Sequence, residues 1–460
     1  MKTILDLLKP APHIEKIKDK DRLNKTYHYW RIRILYSMFV GYALYYFTRK
    51  SFTFAMPGLI QELHYDKSQL GLLASILSLT YGVSKFVSGI ISDRSNPRYF
   101  MAFGLAMTGV WNIFFGLSSS FLFLALFWGL NGWFQGFGWP PCARFLTHWY
   151  SQSERGAWWS SWNVSHNVGA FLVSWIVGAC LQYFGWRYAM YVPGIFCIFG
   201  SFFLINRLRD TPQSLGLPPI ELFRNDHSGS HETVAYKERE LSAKEILVDY
   251  VIKNKFIWLL AVAYFFVYIV RTGVNDWTAL FLWETKGYSK LGASGCISLF
   301  EVGGLLGSLF AGWSSDRLFN AKRGPVNVLF AFGMFLALCL FWFVPPGYPW
   351  LDSASIFCLG FTIFGPQMLI GVTAAELSHK KAAATSTGFI GFFAYVGAAM
   401  AGYPVGKMIQ ELGWEGFFSG MAVCCLISTL LLIPLWNITH RERGESPSEE
   451  AAPAAVEITG

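Results

Sequence analysis

Twelve apolar stretches, each long enough to cross a lipid bilayer, constrain the fold of this chain more than any other feature. A membrane-spanning helix needs about 20 apolar residues, and only helices or closed barrels satisfy the backbone within lipid. The composition agrees, because 53% of the residues are hydrophobic and 14% are charged, whereas about 25% are charged in soluble domains. The sequence therefore predicts an all-α membrane protein and excludes a disordered chain, a nucleic-acid binder and an ordinary cytosolic enzyme.

The predicted spans form two sets of six. They lie roughly at 31–56, 68–92, 98–118, 121–148, 157–183, 187–206, 255–283, 291–314, 325–345, 350–376, 383–409 and 414–437. We expect a tail at 1–30, a six-helix bundle at 31–206, a polar linker at 207–254, a second bundle at 255–438 and a disordered tail at 439–460. Lysine and arginine are concentrated in the first tail, the linker and the loops after even-numbered spans, which predicts that both tails and the linker are cytoplasmic.

A repeated loop relates the two sets of spans. The pattern Gly-x-x-x-Asp-Arg follows the second span at 89–94 and the eighth span at 312–317, at an offset of 223 residues. Parallel repeats of six spans are a known transporter architecture, in which the substrate binds between the halves near the middle of the membrane. We therefore expect twelve transmembrane helices in two pseudo-symmetric six-helix bundles.

Several long motifs carry a family resemblance that covers nearly the whole chain. They are GYALYYFTRK at 41–50, YGVSKF at 81–86, SDRSNPR at 92–98, GWFQGFGWPPC at 132–142, HNVG at 166–169, RDTPQSLGLPP at 209–219, FEVGG at 300–304, FGPQMLIG at 364–371 and FAYVGAA at 393–399. On these motifs the chain resembles the organophosphate:phosphate antiporters of the major facilitator superfamily, and within them the bacterial hexose-phosphate sensors and transporters. The resemblance implies the major facilitator fold and a bacterial cytoplasmic (inner) membrane location.

Two arginines lie within predicted spans, where ionisable side chains are costly and indicate function. Other polar residues share a helical face with them: Tyr42 and Tyr46 with Arg49, and Tyr264, Tyr268 and Asn275 with Arg271. The arginines are 222 residues apart, so the repeat places them opposite each other. Because a guanidinium can hold two phosphate oxygens, we predict that both bind substrate phosphate. Pairing with a carboxylate, or extension to the membrane surface, stays open as the alternative. The resemblance implies the phosphate role.

Lys85 and His166 complete the predicted phosphate site. Lys85 shares a face of the second span with Tyr81, and it would add positive charge to the same cavity. His166 follows Trp162 and Asn163 by about one turn, and imidazole titrates near physiological pH. Extension of Lys85 to the interface, and a structural core role for His166, are the alternatives from sequence. The resemblance implies that both belong to the phosphate site and that protonation of the histidine is tied to phosphate binding.

Polar and aromatic side chains are the predicted contacts of a sugar moiety, because Tyr and Trp combine an apolar face with a hydrogen-bonding edge. The candidates for the sugar site and cavity are Tyr42, Tyr46, Tyr81, Trp139, Trp162, Asn163, Tyr268, Asn275 and Tyr395. Packing is the alternative role for each aromatic residue. The stretch at 397–402 carries no charge, whereas the resemblance leads us to expect an acid–base pair there in the high-flux hexose-phosphate transporters.

Further charged residues are predicted to control conformation. Lys50 and Asp276 each lie just beyond an arginine, and we expect a salt bridge between them that closes the outer gate. Glu301 is expected to balance a cavity lysine or arginine and to act as a third gating residue. At the cytoplasmic loops we predict latches that hold helix ends together and do not contact substrate. They comprise Asp93, Arg94, Arg144, Arg155, Asp316 and Arg317.

Two functions follow as hypotheses from these features. The first is a secondary transporter that exchanges hexose phosphate, with glucose 6-phosphate as the expected substrate, for inorganic phosphate by rocker-switch alternating access. The second is a receptor for external glucose 6-phosphate that signals to a membrane histidine kinase. A proton-coupled carrier is disfavoured because the cavity is net positive. We expect no enzyme activity, no cofactor, no metal and no nucleic-acid partner, and we expect a monomer in the lipid bilayer.

Overall fold

Long helices make up most of the described chain. The computed structural model describes residues 9–93, 95–226, 248, 251–320, 322–378 and 383–438. In the first half the helices are α1 (Lys20–Leu63), α2 (Lys67–Asp93), α3 (Pro97–Leu117), α4 (Phe121–Gln135), α5 (Trp139–Trp149), α6 (Gln152–Asn163), α7 (Ser165–Tyr183), α8 (Trp186–Arg207) and α9 (Ile220–Arg224). In the second half they are α10 (Lys255–Thr285), α11 (Lys290–Arg317), α12 (Arg323–Phe343), α13 (Pro349–Glu376), α14 (Ala383–Met400) and α15 (Tyr403–Leu432). The fold is the predicted all-α membrane architecture, because the described residues contain no strand.

Nine helical segments of the described chain are long and apolar enough to cross a membrane. One of them, at 385–435, covers two predicted spans. Between these two spans Gly413 adopts φ 69° and breaks α15. Glycine tolerates this left-handed conformation. The predicted spans at 31–56 and 121–148 are not among the nine. The first lies in α1, which carries a tyrosine-rich polar stripe, and the second is split into α4 and α5.

The break between α4 and α5 has a local cause. Pro140 and Pro141 follow the first residue of α5, where a missing N–H is harmless, but neither could donate within a continuous helix. The chain between the two helices runs through Gly136 and Gly138. The break turns Trp139 towards the centre of the protein, where it lines the central cavity.

Helices pack in two groups that follow the repeat. In the first group, α1 contacts α7 and α8, α3 contacts α8, and α2 contacts α4. In the second group, α10 contacts α14 and α15, and α13 contacts α11 and α12. The backbones of α11 and α13 approach closely, because a Cβ at Gly307 would lie 2.0 Å from the carbonyl oxygen of Phe361. Small residues permit such close packing between membrane helices.

The two groups meet through α1, α2 and α7 on one side and α10, α11, α14 and α15 on the other. We call the side of the protein that carries Lys20, Arg207 and Leu435 the terminal side, and the other side the opposite side. In the described part of the chain, hydrogen bonds between the groups run from the middle of the protein to the opposite side. The described hydrogen bonds therefore tie the two groups together in the middle and on the opposite side.

The start of the expected linker is not a free segment. Phe223 of α9 stacks on Tyr27 of α1, with ring centroids 4.0 Å apart, and the Tyr27 hydroxyl donates to the carbonyl of Pro218 at 2.8 Å. The first twenty residues of the predicted linker therefore pack on the first group. Most of its remainder, at 227–247 and 249–250, and the expected tail at 439–460 lie outside the described residues.

Candidate functional site

A cavity of ≈ 200 Å³ lies between the two helix groups. Its walls come from both groups. The packing of the two groups against each other, and not closeness in the sequence, therefore brings its residues together. Thirteen residues singled out from the sequence line it: Tyr42, Tyr46, Arg49, Lys50, Tyr81, Lys85, Trp139, Asn163, His166, Tyr268, Arg271, Asp276 and Tyr395. The same space thus collects the predicted phosphate, sugar and gating residues.

Arg49 is held in place by uncharged partners. Its Nε donates to Oε1 of Gln135 at 3.2 Å, and the amide of Gln135 donates in turn to the hydroxyl of Thr48 at 3.0 Å. The guanidinium lies 4.5 Å from the ring centroid of Tyr46 and 4.3 Å from that of Tyr81. Its Nη2 is buried without a hydrogen-bond partner in the described protein. A buried donor without a partner is costly, so this atom is available to a ligand.

Arg271 occupies the corresponding position in the second group. Its guanidinium lies 5.4 Å from the ring centroid of Tyr268 and 5.3 Å from that of Phe364. Its Nε is also buried without a hydrogen-bond partner among the described residues. Both arginines therefore rest against aromatic faces, which stabilise a cation but supply no counter-charge.

Neither arginine has a carboxylate within 4.0 Å in the described part of the chain. Glu301 is the carboxylate that the sequence predicts as a partner of a cavity cation. Its carboxylate accepts hydrogen bonds from Nδ2 of Asn167 at 3.0 Å and from Nδ2 of Asn275 at 3.1 Å. The alternative in which each arginine forms a structural ion pair therefore has no support in this geometry. Two desolvated positive charges face the cavity instead.

Lys85 extends from α2 across the cavity to the second group. Its Nζ donates to the hydroxyl of Tyr395 at 3.5 Å, and it lies 5.0 Å from the ring centroid of Trp139. The ring of Tyr395 also contacts Tyr81 at 5.0 Å and Tyr268 at 6.0 Å. Tyr395 thus lies where the two groups meet, in contact with Lys85 and Tyr81 of the first group and with Tyr268 of the second.

His166 lies on α7 at the edge of the same cavity. Its Nδ1 contacts the carbonyl oxygen of Asn163, one turn earlier. Its ring lies parallel to Phe364 at 6.2 Å and tilted to Tyr46 at 5.6 Å. Because Nδ1 is engaged with the backbone, Nε2 is the ring atom free to act on a ligand.

Two of the predicted sugar residues do not line the cavity. Trp162 is fully buried behind Tyr42, with ring centroids 4.9 Å apart, so it supports the wall. Asn275 is buried as well, and its Oδ1 accepts a hydrogen bond from Nζ of Lys50 at 2.6 Å. Both residues therefore lie behind the cavity wall and do not form part of it.

The predicted gate residues Lys50 and Asp276 form the salt bridge expected from the sequence. Nζ of Lys50 lies 2.8 Å from Oδ1 of Asp276, and both side chains are largely buried. The hydroxyl of Thr53 donates to the same carboxylate oxygen at 3.2 Å. The pair joins α1 to α10. It lies nearer to the opposite side of the protein than the two arginines do.

Among the described residues Glu301 forms no direct ion pair with a cavity cation, but its charge acts on Arg271 and Lys50 at longer range. In the described chain no basic side chain lies within 4.0 Å of its carboxylate. Asn275 intervenes, because it accepts from Lys50 and donates to Glu301. Glu301 is thereby linked to the gate through an amide, and through Asn167 to α7.

The predicted latch residues Arg144 and Arg155 have partners among the described residues. Arg144 donates to the carbonyls of Ser92 and Ser95 at 2.8 and 2.6 Å and pairs with Asp210 at 3.2 Å. Arg155 pairs with Glu221 at 3.6 Å. Arg94 and the side chain of Asp93 lie outside the described residues.

In the second group, Asp316 pairs with Arg323, which also pairs with Glu376 at 3.2 Å. Arg317 is exposed at the end of α11. Asp210, Arg323 and Glu376 were not singled out from the sequence, because a charge at a loop carries no distinctive spacing.

Residues 38–402 match the family model described as Major Facilitator Superfamily. The chain belongs to the major facilitator superfamily. It is 58% identical over 440 residues to the "Probable hexose phosphate transport protein" of Chlamydia pneumoniae, which covers 94% of this chain and 97% of the relative. It is 48% identical over 435 residues to the "Membrane sensor protein UhpC" of Salmonella typhimurium, which covers 94% and 98%.

Similarity to solved structures supports the fold alone. A bacterial homologue of the human lysosomal transporter Spinster, in an inward-facing and unoccupied conformation, has a TM-score of 0.73 at 16% identity and covers 91% of this chain and 99% of that chain. At such low identity the similarity supports the arrangement of the helices and gives no information on the substrate.

Several site residues of this major facilitator protein were missed from the sequence. Gln135 positions Arg49, Asn167 holds Glu301, and Phe364 packs beside Arg271. Gln367 lines the cavity with a buried Oε1 that lacks a partner in the described chain. All four lie within the quoted motifs. A search for charged residues inside the spans overlooks these four residues because they are neutral. The three amides among them could have been noticed, because polar side chains often form contacts between membrane helices.

Proposed function

We propose that this protein is a secondary transporter that exchanges hexose phosphate, with glucose 6-phosphate as the preferred substrate, for inorganic phosphate. The observation that carries the proposal is the pair of buried arginines, one from each helix group, each with a guanidinium nitrogen that has no partner in the described chain. A phosphate monoester carries a charge of about −1.5 to −2 at neutral pH. It therefore matches two unpaired cations in both charge and hydrogen-bonding geometry.

The other cavity residues fit the same ligand. Lys85 adds a third cation, and the free Nε2 of His166 can donate to a phosphate oxygen when the ring is protonated. Tyr46, Tyr81, Tyr268 and Tyr395 surround these cations with hydroxyl groups and aromatic faces. Such faces suit the mixed apolar and polar surface of a sugar ring. Inorganic phosphate would use the cations alone, so both substrates share one site.

Exchange rather than one-way transport follows from the charges. Without an anion, the two arginines and Lys85 repel one another in a site of low polarity. Bringing the helix groups together around the empty cavity would increase that repulsion. A bound phosphate removes it, so reorientation is favoured only when either substrate is present. A ligand shifts such an equilibrium by its differential affinity for the two states.

The gate couples the substrate site to the opposite side. Lys50 directly follows Arg49 in α1, and Asp276 lies five residues after Arg271 in α10. A movement of either helix that accompanies phosphate binding would therefore act on the salt bridge. We assign the terminal side to the cytoplasm from the distribution of basic residues. The described conformation then corresponds to a form closed towards the outside.

A second function is supported by the relatives that are named as sensors. The relative at 48% identity is named a membrane sensor protein, so the same cavity could serve a receptor for external hexose phosphate that contacts a membrane histidine kinase. Purified protein in liposomes separates the two functions. A transporter takes up labelled phosphate only when the liposomes contain internal phosphate or hexose phosphate. A receptor binds labelled glucose 6-phosphate but gives no more uptake than empty liposomes.

The arginine pair is tested by Arg49→Lys and Arg271→Lys, which keep the charge but lose the planar fork. Each charge-assisted hydrogen bond contributes about 1.5–3 kcal/mol, and 1.4 kcal/mol is tenfold, so we expect roughly 100-fold weaker binding of both phosphate and glucose 6-phosphate. Equilibrium binding to purified, folded variants is the measurement. Arg155→Lys, at the terminal side, is the matched control and should bind like the wild type. If either Arg49→Lys or Arg271→Lys bound inorganic phosphate within about threefold of wild type, the two arginines would not be the residues that hold the phosphate.

A further inference from the structure

A second basic site lies outside the transport cavity, on the terminal side of α1. A groove of ≈ 620 Å³ runs along the first turns of this helix and ends at Arg207 of α8. Its cationic members include Lys25, Arg33 and Arg207, and its apolar members include Ile32 and Tyr36. None of these residues lines the cavity between the helix groups.

Arginines gather at the end of α8 that closes this groove. Nη2 of Arg33 donates to the carbonyl of Asn206 at 3.2 Å, and Nε of Arg98 donates to that of Ile205 at 2.6 Å. Arg209 donates to the carbonyl of Leu208 at 2.7 Å. The last carbonyls of a helix attract cations, which explains why these side chains are fixed here. Burial, together with the charges of Arg98 and Arg33, lowers the pKa of Arg209, so the three cations are crowded.

The cluster lacks a counter-charge in the described protein. No carboxylate of the described residues lies within 4.0 Å of Lys25, Arg33, Arg98, Arg207 or Arg209. Elsewhere on the terminal side, Arg31, Arg144 and Arg224 each have an acidic partner. The groove therefore has a positive charge that no described carboxylate balances through an ion pair.

Exposed apolar side chains lie among the cations of α1 and just beyond them. Tyr29, Ile32 and Tyr36 are 53%, 49% and 39% exposed, and Phe203 of α8 lies beside Tyr36 at a ring distance of 6.4 Å. Their position, between a basic end and the apolar length of α1, is that of the interface between head groups and acyl chains, where tyrosine is enriched.

We propose that this groove binds an anionic phospholipid, with the head-group phosphate on Lys25, Arg33 and Arg207 and an acyl chain along Ile32 and Tyr36. A lipid fits better than a soluble phosphate, because a soluble phosphate would leave the apolar half of the groove uncovered. Basic pockets beside membrane helices bind anionic head groups in this way. The site lies on the outer surface of the first helix group and is separate from substrate binding.

The test is lipid binding to the full-length protein in detergent, measured with fluorescent phosphatidylglycerol and with phosphatidylcholine. The variant Lys25→Gln/Arg207→Gln removes two cations and leaves Arg33 at its helix carbonyls. We expect phosphatidylglycerol affinity to fall about 25-fold, at roughly fivefold for each cation, and phosphatidylcholine binding to stay the same. Each single variant should lose about fivefold, which keeps the test valid if the double variant is unstable.

The matched control is Lys255→Gln/Lys322→Gln, which removes two exposed cations from the terminal side of the second group. It should bind phosphatidylglycerol within twofold of wild type. Soluble glycerophosphoglycerol, the head group without acyl chains, should not displace the lipid at equal concentration. The proposal is overturned if the groove variants bind phosphatidylglycerol like the wild type, if the control loses as much affinity, or if the soluble head group competes equally.

Discussion

The two sides of this protein differ in how their charged residues are paired. On the opposite side, Lys50–Asp276 and Lys67–Glu284 each join one helix group to the other. On the terminal side, the described pairs Arg144–Asp210 and Arg323–Glu376 each remain within one group or its attached segment. Pairs of the first kind hold the groups together, whereas pairs of the second kind make each group rigid.

This difference indicates which contacts must change during transport. Opening the opposite side requires the loss of ion pairs between the groups, whereas the pairs within a group can persist while the groups rotate as units. The charges at the terminal side would then set stability, and those at the opposite side would set the conformational equilibrium. The following substitutions test that division, from the largest expected effect to the smallest.

Asp276→Asn should open the opposite side. It leaves the largely buried Lys50 without its carboxylate, and breaking a buried pair costs about 3–5 kcal/mol. We expect a longer distance between spin-labelled non-natural amino acids at Tyr183 and Glu411, two exposed positions on different groups. Lys50→Ala combined with Asp276→Ala should have a smaller effect than the sum of the single changes. Strict additivity would show that the two residues do not interact.

Asp210→Asn should act on stability and leave that distance unchanged. The Asp210 side chain is buried, pairs with Arg144 and accepts from the backbone N–H of Ala11 at 2.8 Å. Removing its charge should lower the free energy of unfolding by about 3 kcal/mol, measured by thermal or denaturant unfolding in detergent. A lengthened distance between labels at Tyr183 and Glu411 would show that this terminal-side pair also sets the conformational equilibrium.

Gly402→Ala tests a close backbone contact between the two groups on the opposite side. A Cβ at Gly402 would lie 2.6 Å from the carbonyl oxygen of Gly71 and 2.3 Å from Oγ of Ser75, so the groups must separate to admit it. Overpacking typically costs about 1–3 kcal/mol, and we expect a partial shift of the same spin-label distance. Gly391→Ala is the control, because a Cβ there meets no atom within 4 Å. Equal shifts in both variants would contradict the packing argument.

Lys67→Gln should have the smallest effect on the opposite side. Lys67 pairs with Glu284 at 2.8 Å, and its Nζ lies 5.1 Å from the ring of Trp414. Both charged side chains are partly exposed, and exposed pairs contribute at most about 1 kcal/mol. The spin-label distance should therefore shift slightly, and the shift should disappear at high salt, where the wild-type pair is also screened. A shift as large as that of Asp276→Asn would reverse the ranking of the two pairs.

Much of the site could be predicted because charges inside apolar spans stand out against their surroundings. Arg49, Lys85 and Arg271 were found in this way, and the repeat offset placed the arginines on facing helices. The Lys50–Asp276 pair was predicted by the same reasoning and is present in the structure. Neutral residues such as Gln135 and Asn167 could not be singled out, because an amide inside a helix has no distinctive pattern until its partner is known.

The amino-acid sequence by itself determined the membrane location of the helices, their two sets and the cationic character of the space between them. Those features depend on length, hydropathy and charge, which are local properties of the chain. Only the tertiary structure decided that Glu301 accepts hydrogen bonds from Asn167 and Asn275. It also decided that Trp162 lies behind Tyr42, and that the described ion pairs between the groups form on the opposite side. These features depend on distances of a few ångströms between residues far apart in the chain, which no spacing in a single helix can specify.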